Sequence, residues 1–133
     1  MISSLTHVSL PVLDYDEALG WYTEKLGLEI RDNVEMNEYG SGYRWLTVGV
    51  PGHKDLEIIL HKSSLEQADT ASKPASKMPY FIFSTDDCQA EVKRLRANGV
   101  EITGEPEEVP WGVQAMFEDL YGNTHVLVEP PNH

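Results

Sequence analysis

The sequence predicts an α+β fold made of two βαβββ modules. Three observations carry that prediction. The order strand, helix, three strands is read twice along the 133 residues. The two halves also align: "DYDEA…LGLEI" lies over "DCQ-A…NGVEI", with Ala18 on Ala90, Gly27 on Gly99, Glu29 on Glu101 and Ile30 on Ile102. Between them runs "KSSLEQADTASKPASK" (62–77), polar, small and proline-containing, which reads as a linker. We expect one domain over 1–133, with modules at 1–61 and 78–133.

The elements follow in chain order. "SSLTHVSLPV" (3–12) alternates as a strand, with Thr6, Val8, Leu10 and Val12 on one side. Leu5, His7, Ser9 and Pro11 take the other side. "LDYDEALGWYTEKLGL" is a helix with Asp14 as N-cap and Glu17 three residues on. Its apolar stripe is Ala18, Trp21, Tyr22 and Leu26, and Gly27 stops it. Strands are expected at 28–36, 43–50 and 55–60, with turns at "NEYGSG" and "PGHK". The second half gives a strand "MPYFIFST" and a helix "DDCQAEVKRLRANG" ending at Asn98-Gly99. Strands "VEITGEP", "WGVQAMFED" and "THVLVEP" complete it. The helices align at an offset of 72 and the first strands at 73, which puts one extra residue in the first strand-to-helix turn and Tyr80 over His7.

Each module covers one sheet face with its own helix. Two modules set edge to edge form a bent, cup-shaped mixed sheet with helices outside. His7 and Tyr80 then face the cup by alternation.

Composition narrows the function. Lys plus Arg is 10 and Asp plus Glu is 22, a formal charge of −12. No basic surface is available to neutralise phosphates, so we expect no nucleic acid and no membrane partner. A cationic ligand is permitted; an acidic surface that maintains solubility is the plainer reading. Cys88 is the lone cysteine, which suits a reducing compartment. It lies on the apolar stripe with Val92 and Leu95 and is expected as a buried thiol. No signal segment and no apolar run of about 18 residues is visible, so a cytoplasmic protein is expected.

"THVSLPVLDYDEALGWYTEKLGLEI" and "DLYGNTHVLVEP" resemble the opening strand-helix and closing hairpin of the vicinal oxygen chelate superfamily. That superfamily includes glyoxalase I, bleomycin resistance proteins and extradiol dioxygenases. Leu120 stands where its closing turn usually has proline. "YRWLTV" and "PWGVQAMFED" are similar to an uncharacterised glyoxalase-like branch. The resemblance implies a homodimer.

It also implies four metal-ligand positions, which fall on His7, Glu57, Tyr80 and Val126. Two hold good donors, a neutral phenol is a poor one and valine is none. His125 lies one residue from the last position and would face the wrong side. His61 is a stray donor on the face of Glu57. The expected cofactor is therefore none or a weakly bound divalent metal. A metal-free polar pair, with Glu57 accepting from His7 or Arg44, is the preferred alternative.

A ligand is expected to meet His7, Arg44, Trp45, Glu57, Tyr80, Trp111 and Gln114. Trp111 would stack on a flat ligand, with Arg44 and Gln114 orienting it. Three functions follow. One is a small-molecule binder with incomplete metal ligation. Another is a metal-dependent lyase, isomerase or dioxygenase acting on a carbonyl or vicinal-oxygen substrate. The third is a sequestering binder of a cationic drug-like molecule.

Overall fold

The computed structural model describes residues 1–36, 42–63 and 79–131. The predicted turn at 37–42 and the linker at 62–77 lie almost wholly outside the described residues. The chain forms two compact units, Met1–Thr70 and Ala71–His133.

Unit 1 contains β1 (His7–Val12), α1 (Tyr15–Glu24), β2 (Glu29–Glu35), β3 (Arg44–Gly49) and β4 (Glu57–Lys62). Unit 2 contains β5 (Ile82–Ser84), α2 (Cys88–Ala97), β6 (Glu101–Val109), β7 (Gly112–Glu118) and β8 (Thr124–Glu129). The order is βαβββ twice, as the repeat requires.

Both helices start the same way. The Asp14 carboxylate accepts from the Glu17 N–H at 2.8 Å, and the Asp87 carboxylate from the Ala90 N–H at 3.0 Å. Each bond satisfies a donor that the first helical turn leaves open. Gly27 and Gly99 end them in left-handed backbone, at φ +80° and +86°, which costs little without a Cβ. The two caps stand 73 residues apart and the two glycines 72. The extra residue of the first module therefore sits at the C-terminal end of α1, not in the β1–α1 turn where the alignment puts it.

The sheets share one topology. Unit 1 has the strand order β1-β4-β3-β2 and unit 2 has β5-β8-β7-β6. In each, the first and last strands of the unit pair parallel, and the other pairs are antiparallel. Pairing first with last needs a crossover, and the helix supplies it.

Alternation decides what each sheet face carries. In unit 1, Leu10, Val12, Leu46, Val48, Ile58 and Leu60 are buried on the face toward α1, with Tyr15, Ala18 and Tyr22 of the helix. Each of the aliphatic strand side chains contributes about 1.5–3 kcal/mol by leaving water. Their odd-numbered neighbours point to the helix-free face. In unit 2, Cys88, Val92 and Leu95 of α2 are buried, as are Ala115, Phe117 and Leu127 of the sheet.

Several boundaries differ from expectation: β1 begins at His7 rather than at residue 3, and β5 at Ile82, which leaves Tyr80 outside the strand whose alternation was to orient it. β6 runs on to Val109, with register shifts between Ile102 and Gly104 and between Gly104 and Glu107. Bulges lengthen a strand without adding regular pairs. Trp111 consequently lies in the β6–β7 turn rather than in the strand.

Candidate functional site on the helix-free face of unit 1

Parallel pairing of β1 with β4 sets His7 opposite Glu57. Both side chains take the helix-free face, and His7 Nε2 lies 3.8 Å from Glu57 Oε1. They are 35% and 23% exposed, so water or a ligand reaches both. The gap is too long for a direct hydrogen bond.

Glu57 is held from the other side. The Thr47 hydroxyl donates to Glu57 Oε1 at 2.8 Å and accepts from the Asp32 N–H at 3.0 Å. Thr47 is completely buried, so no water can replace either partner of its hydroxyl. The carboxylate is therefore aimed rather than loose.

His7 is anchored as well. Its Nδ1 lies 2.8 Å from the Thr6 hydroxyl. When that hydroxyl donates, the imidazole proton sits on Nε2 and faces Glu57; when it accepts, Nε2 is a bare acceptor. The Trp45 ring stands 5.6 Å from the His7 ring, tilted by 53°. Its indole N–H donates to Asp32 Oδ2 at 3.4 Å. His61 shares this face and meets the Tyr43 ring at 6.3 Å.

Arg44 corrects the sequence expectation. Its guanidinium donates to both Asp16 oxygens, at 2.9 and 3.2 Å, and lies 5.3 Å over the Tyr15 ring. Both partners belong to α1, so Arg44 is on the helix-covered side. It neither touches Glu57 nor joins the site. The Arg44 guanidinium holds the Asp16 carboxyl below its usual range by hydrogen bond and charge.

Unit 2 places its candidates differently. The Trp111 indole N–H donates to Gln114 Oε1 at 2.9 Å, and Trp111 is 55% exposed. Tyr80 lies beside Phe81 and His125, and burial, then the Asp119 charge, pushes its phenol up. Val126 pairs with Ile82, not with Tyr80. Tyr80 and Val126 thus do not face each other in register as His7 and Glu57 do.

His125 is fully buried in a ring of Phe81, Phe83 and Phe117, stacked on Phe81 at 5.4 Å. Burial lowers its pKa to about 4, against a smaller opposing pull from Asp119. It is core imidazole and cannot stand in for Val126. Cys88 is buried, and desolvation raises its thiol, so it is no nucleophile.

The donors do not fit a tightly held metal. Among the described residues no three His, Cys, Asp or Glu side chains gather as an ion would require. Unit 1 offers His7 and Glu57, and one Glu57 oxygen already accepts from Thr47.

Thr47 and Asp32 are the site residues that sequence reasoning missed. The signal was present: Tyr43, Trp45 and Thr47 alternate with the buried Leu46 and Val48. A hydroxyl flanked by two core aliphatics points to the face that Glu57 uses.

Among the described residues no helix is long and apolar enough to cross a membrane. Comparison with known proteins gives a family. Residues 4–127 match the model of the Glyoxalase/Bleomycin resistance protein/Dioxygenase superfamily. The crystal structure of UcmS2 matches with a TM-score of 0.83 and 34% identity, covering 96% of this chain and 98% of that one. TnmS3, an antibiotic binding protein from Streptomyces sp. CB03234, matches at 0.78 and 32%, covering 98% of each. An uncharacterized protein of Shewanella frigidimarina (strain NCIMB 400) is 32% identical over 130 residues, 97% of this chain and 95% of that protein. The chain belongs to the Glyoxalase/Bleomycin resistance protein/Dioxygenase superfamily.

Proposed function

We propose that the chain binds a small organic ligand on the helix-free face of unit 1, through Glu57, His7 and Trp45. One observation carries this reading: an accessible carboxylate fixed by a buried hydroxyl, beside an imidazole and an indole. A fixed polar group bordered by an aromatic wall is what a small-molecule site needs. The antibiotic-binding relative TnmS3 supports ligand holding as a task of this scaffold. Within unit 2, Tyr80, Gln114 and the exposed ring of Trp111 are proposed as ligand contacts of that unit by itself.

A cationic ligand is favoured over a neutral one. Glu57 and Asp32 are both on this face, and the whole chain carries −12. The test uses two planar probes, cationic 9-aminoacridine and neutral acridone. Binding at a hundred times Kd stabilises a protein by about 2.7 kcal/mol, which a thermal melt reads directly. We expect 9-aminoacridine to raise the melting temperature more than acridone does. The shift should vanish in Trp45→Ala and in Glu57→Gln. No shift with either probe, or a shift indifferent to both substitutions, defeats the proposal.

The closeness of His7 and Glu57 also supports a second reading, a metal-dependent lyase, isomerase or dioxygenase with the ion held weakly by that pair. Metal content after purification in Mn²⁺ or Zn²⁺ decides it. Stoichiometric metal that disappears in His7→Ala would favour this reading over the first.

A further inference from the structure

We propose that Arg31 is a positioning residue that latches the β3–β4 loop and so sets where the Glu57 carboxylate lies. The inference rests on the ligand site proposed for the helix-free face of unit 1.

Arg31 sits at an irregularity. The β2–β3 register shifts between Ile30 and Asp32, which leaves Arg31 as the unpaired residue of β2. A bulge re-aims the side chain it carries. Here the guanidinium crosses Gly49, the last residue of β3. A Cβ built on Gly49 would fall 2.7 Å from Arg31 Cζ and 2.8 Å from Nη2. The missing side chain at 49 is the channel that Arg31 occupies.

The guanidinium ends on the loop. Nη2 donates to the carbonyl oxygens of Val50, at 2.8 Å, and His53, at 3.0 Å. Nε lies 3.1 Å from Glu29 Oε1, a charge contact without hydrogen-bond alignment. The Arg31 side chain is only 13% exposed. The two protons of Nη2 thus tie two carbonyls of one loop while Nε faces Glu29 on β2, and lysine, with a single nitrogen, cannot span both.

That loop delivers Glu57. Val50 follows β3 directly, and β4 begins at Glu57 itself. The His53 N–H closes the turn on Val50 O at 2.9 Å, and the Glu57 N–H bonds Thr6 O at 2.9 Å. A loose loop would let the first residue of β4 fray from β1, and Glu57 would lose both its place beside His7 and its bond from Thr47.

The test compares wild type with Arg31→Met, Arg31→Lys and Gly49→Ala. Gly49→Ala keeps arginine but evicts it from its channel. It moves only the far end of a flexible side chain, so the fold should survive even where Arg31→Met does not. Amide hydrogen exchange is read at His53 and Glu57, with Leu60 and Val48 as core references. We expect exchange at His53 and Glu57 to quicken by about tenfold or more in all three variants, with the core references unchanged. Affinity for 9-aminoacridine should fall by about tenfold in parallel. Unchanged exchange at Glu57 in a folded Gly49→Ala protein overturns the latch, as does full restoration by lysine. If exchange quickens but affinity holds, Arg31 supports the loop without positioning the site, and the inference also fails. If 9-aminoacridine does not bind wild type, the ligand reading falls, and the latch is then judged on exchange alone.

Discussion

Units 1 and 2 share strand order, parallel closing pair and helix caps, yet they put His7 and His125 on opposite faces of their sheets. In unit 1, β1 turns His7 to the helix-free face, in reach of Glu57 and solvent. In unit 2, β8 turns His125 inward, into a box of three phenylalanines. The position beside it on the helix-free face is Val126, itself buried and paired with Ile82 and Met116. One step along a strand thus converts a possible ligand donor into packing. The backbone is duplicated and the chemistry is not. Side-chain parity decides what each sheet face presents, so either unit can change its polar groups without disturbing its topology.

The largest effect that would break this contrast concerns the two histidines. His125→Ala should destabilise the protein by about 3 kcal/mol, because it empties a fully buried box that cannot collapse around three rings. His7→Ala should cost less than about 1 kcal/mol, since the ring is partly exposed. Probe binding should follow the reverse order, lost with His7 and retained by the folded fraction of the His125 variant. Urea unfolding and 9-aminoacridine titration of both variants check this. Equal stability losses would mean that the two imidazoles are not as different as their burial implies.

Acid sharpens the same contrast. The folded pKa of His125, about 4, lies below the ordinary histidine value of 6.5. The folded state therefore keeps His125 neutral where the unfolded chain already binds a proton. Its contribution is complete above pH 6.5, is lost as pH falls from 6.5 to about 4, and does not change further below that. Two and a half units correspond to about 3 kcal/mol. Unfolding free energy measured across this window should fall steeply in wild type and much less in His125→Leu. Parallel slopes would assign the acid sensitivity to other groups.

Much of this was legible in the sequence, and what was missed has physical reasons. Helix α1 was read to its caps because Asp14 and Gly27 are local signals, needing no tertiary partner. The pairing of His7 with Glu57 was implied by the family resemblance, alternation giving only the face, and the parallel register sets the two opposite. Arg44 was misplaced although the same alternation was available: Arg44 and Trp45 are consecutive and cannot share a face. The sequence held no sign of Asp16 as its partner, because that bond joins residues 28 apart. The extra residue was put in the wrong turn because aligning glycines matches helix ends, whereas caps match helix starts. The Arg31 bulge was invisible, since a bulge is a relation between two strands and leaves no period in one.

Thr47 offers the smallest and most selective test of the comparison. Its hydroxyl links the β2 backbone to the Glu57 carboxylate. Across from it in the ladder stands Ile59, and the corresponding pair of unit 2 is Gln114 with Val128, where the Gln114 side chain bonds Trp111 instead. Thr47→Val keeps the shape and removes the hydroxyl. The Asp32 N–H then loses its acceptor and Glu57 its donor, a cost of about 1–2 kcal/mol. Thr47→Ser restores both bonds and gives up one methyl, about 1 kcal/mol. Stability alone barely separates the two variants. Ligand affinity should separate them clearly: serine retains 9-aminoacridine binding, and valine, whose carboxylate is free to turn away, weakens it. If valine binds as well as serine, the aim of Glu57 is set elsewhere and unit 1 differs from unit 2 only in composition.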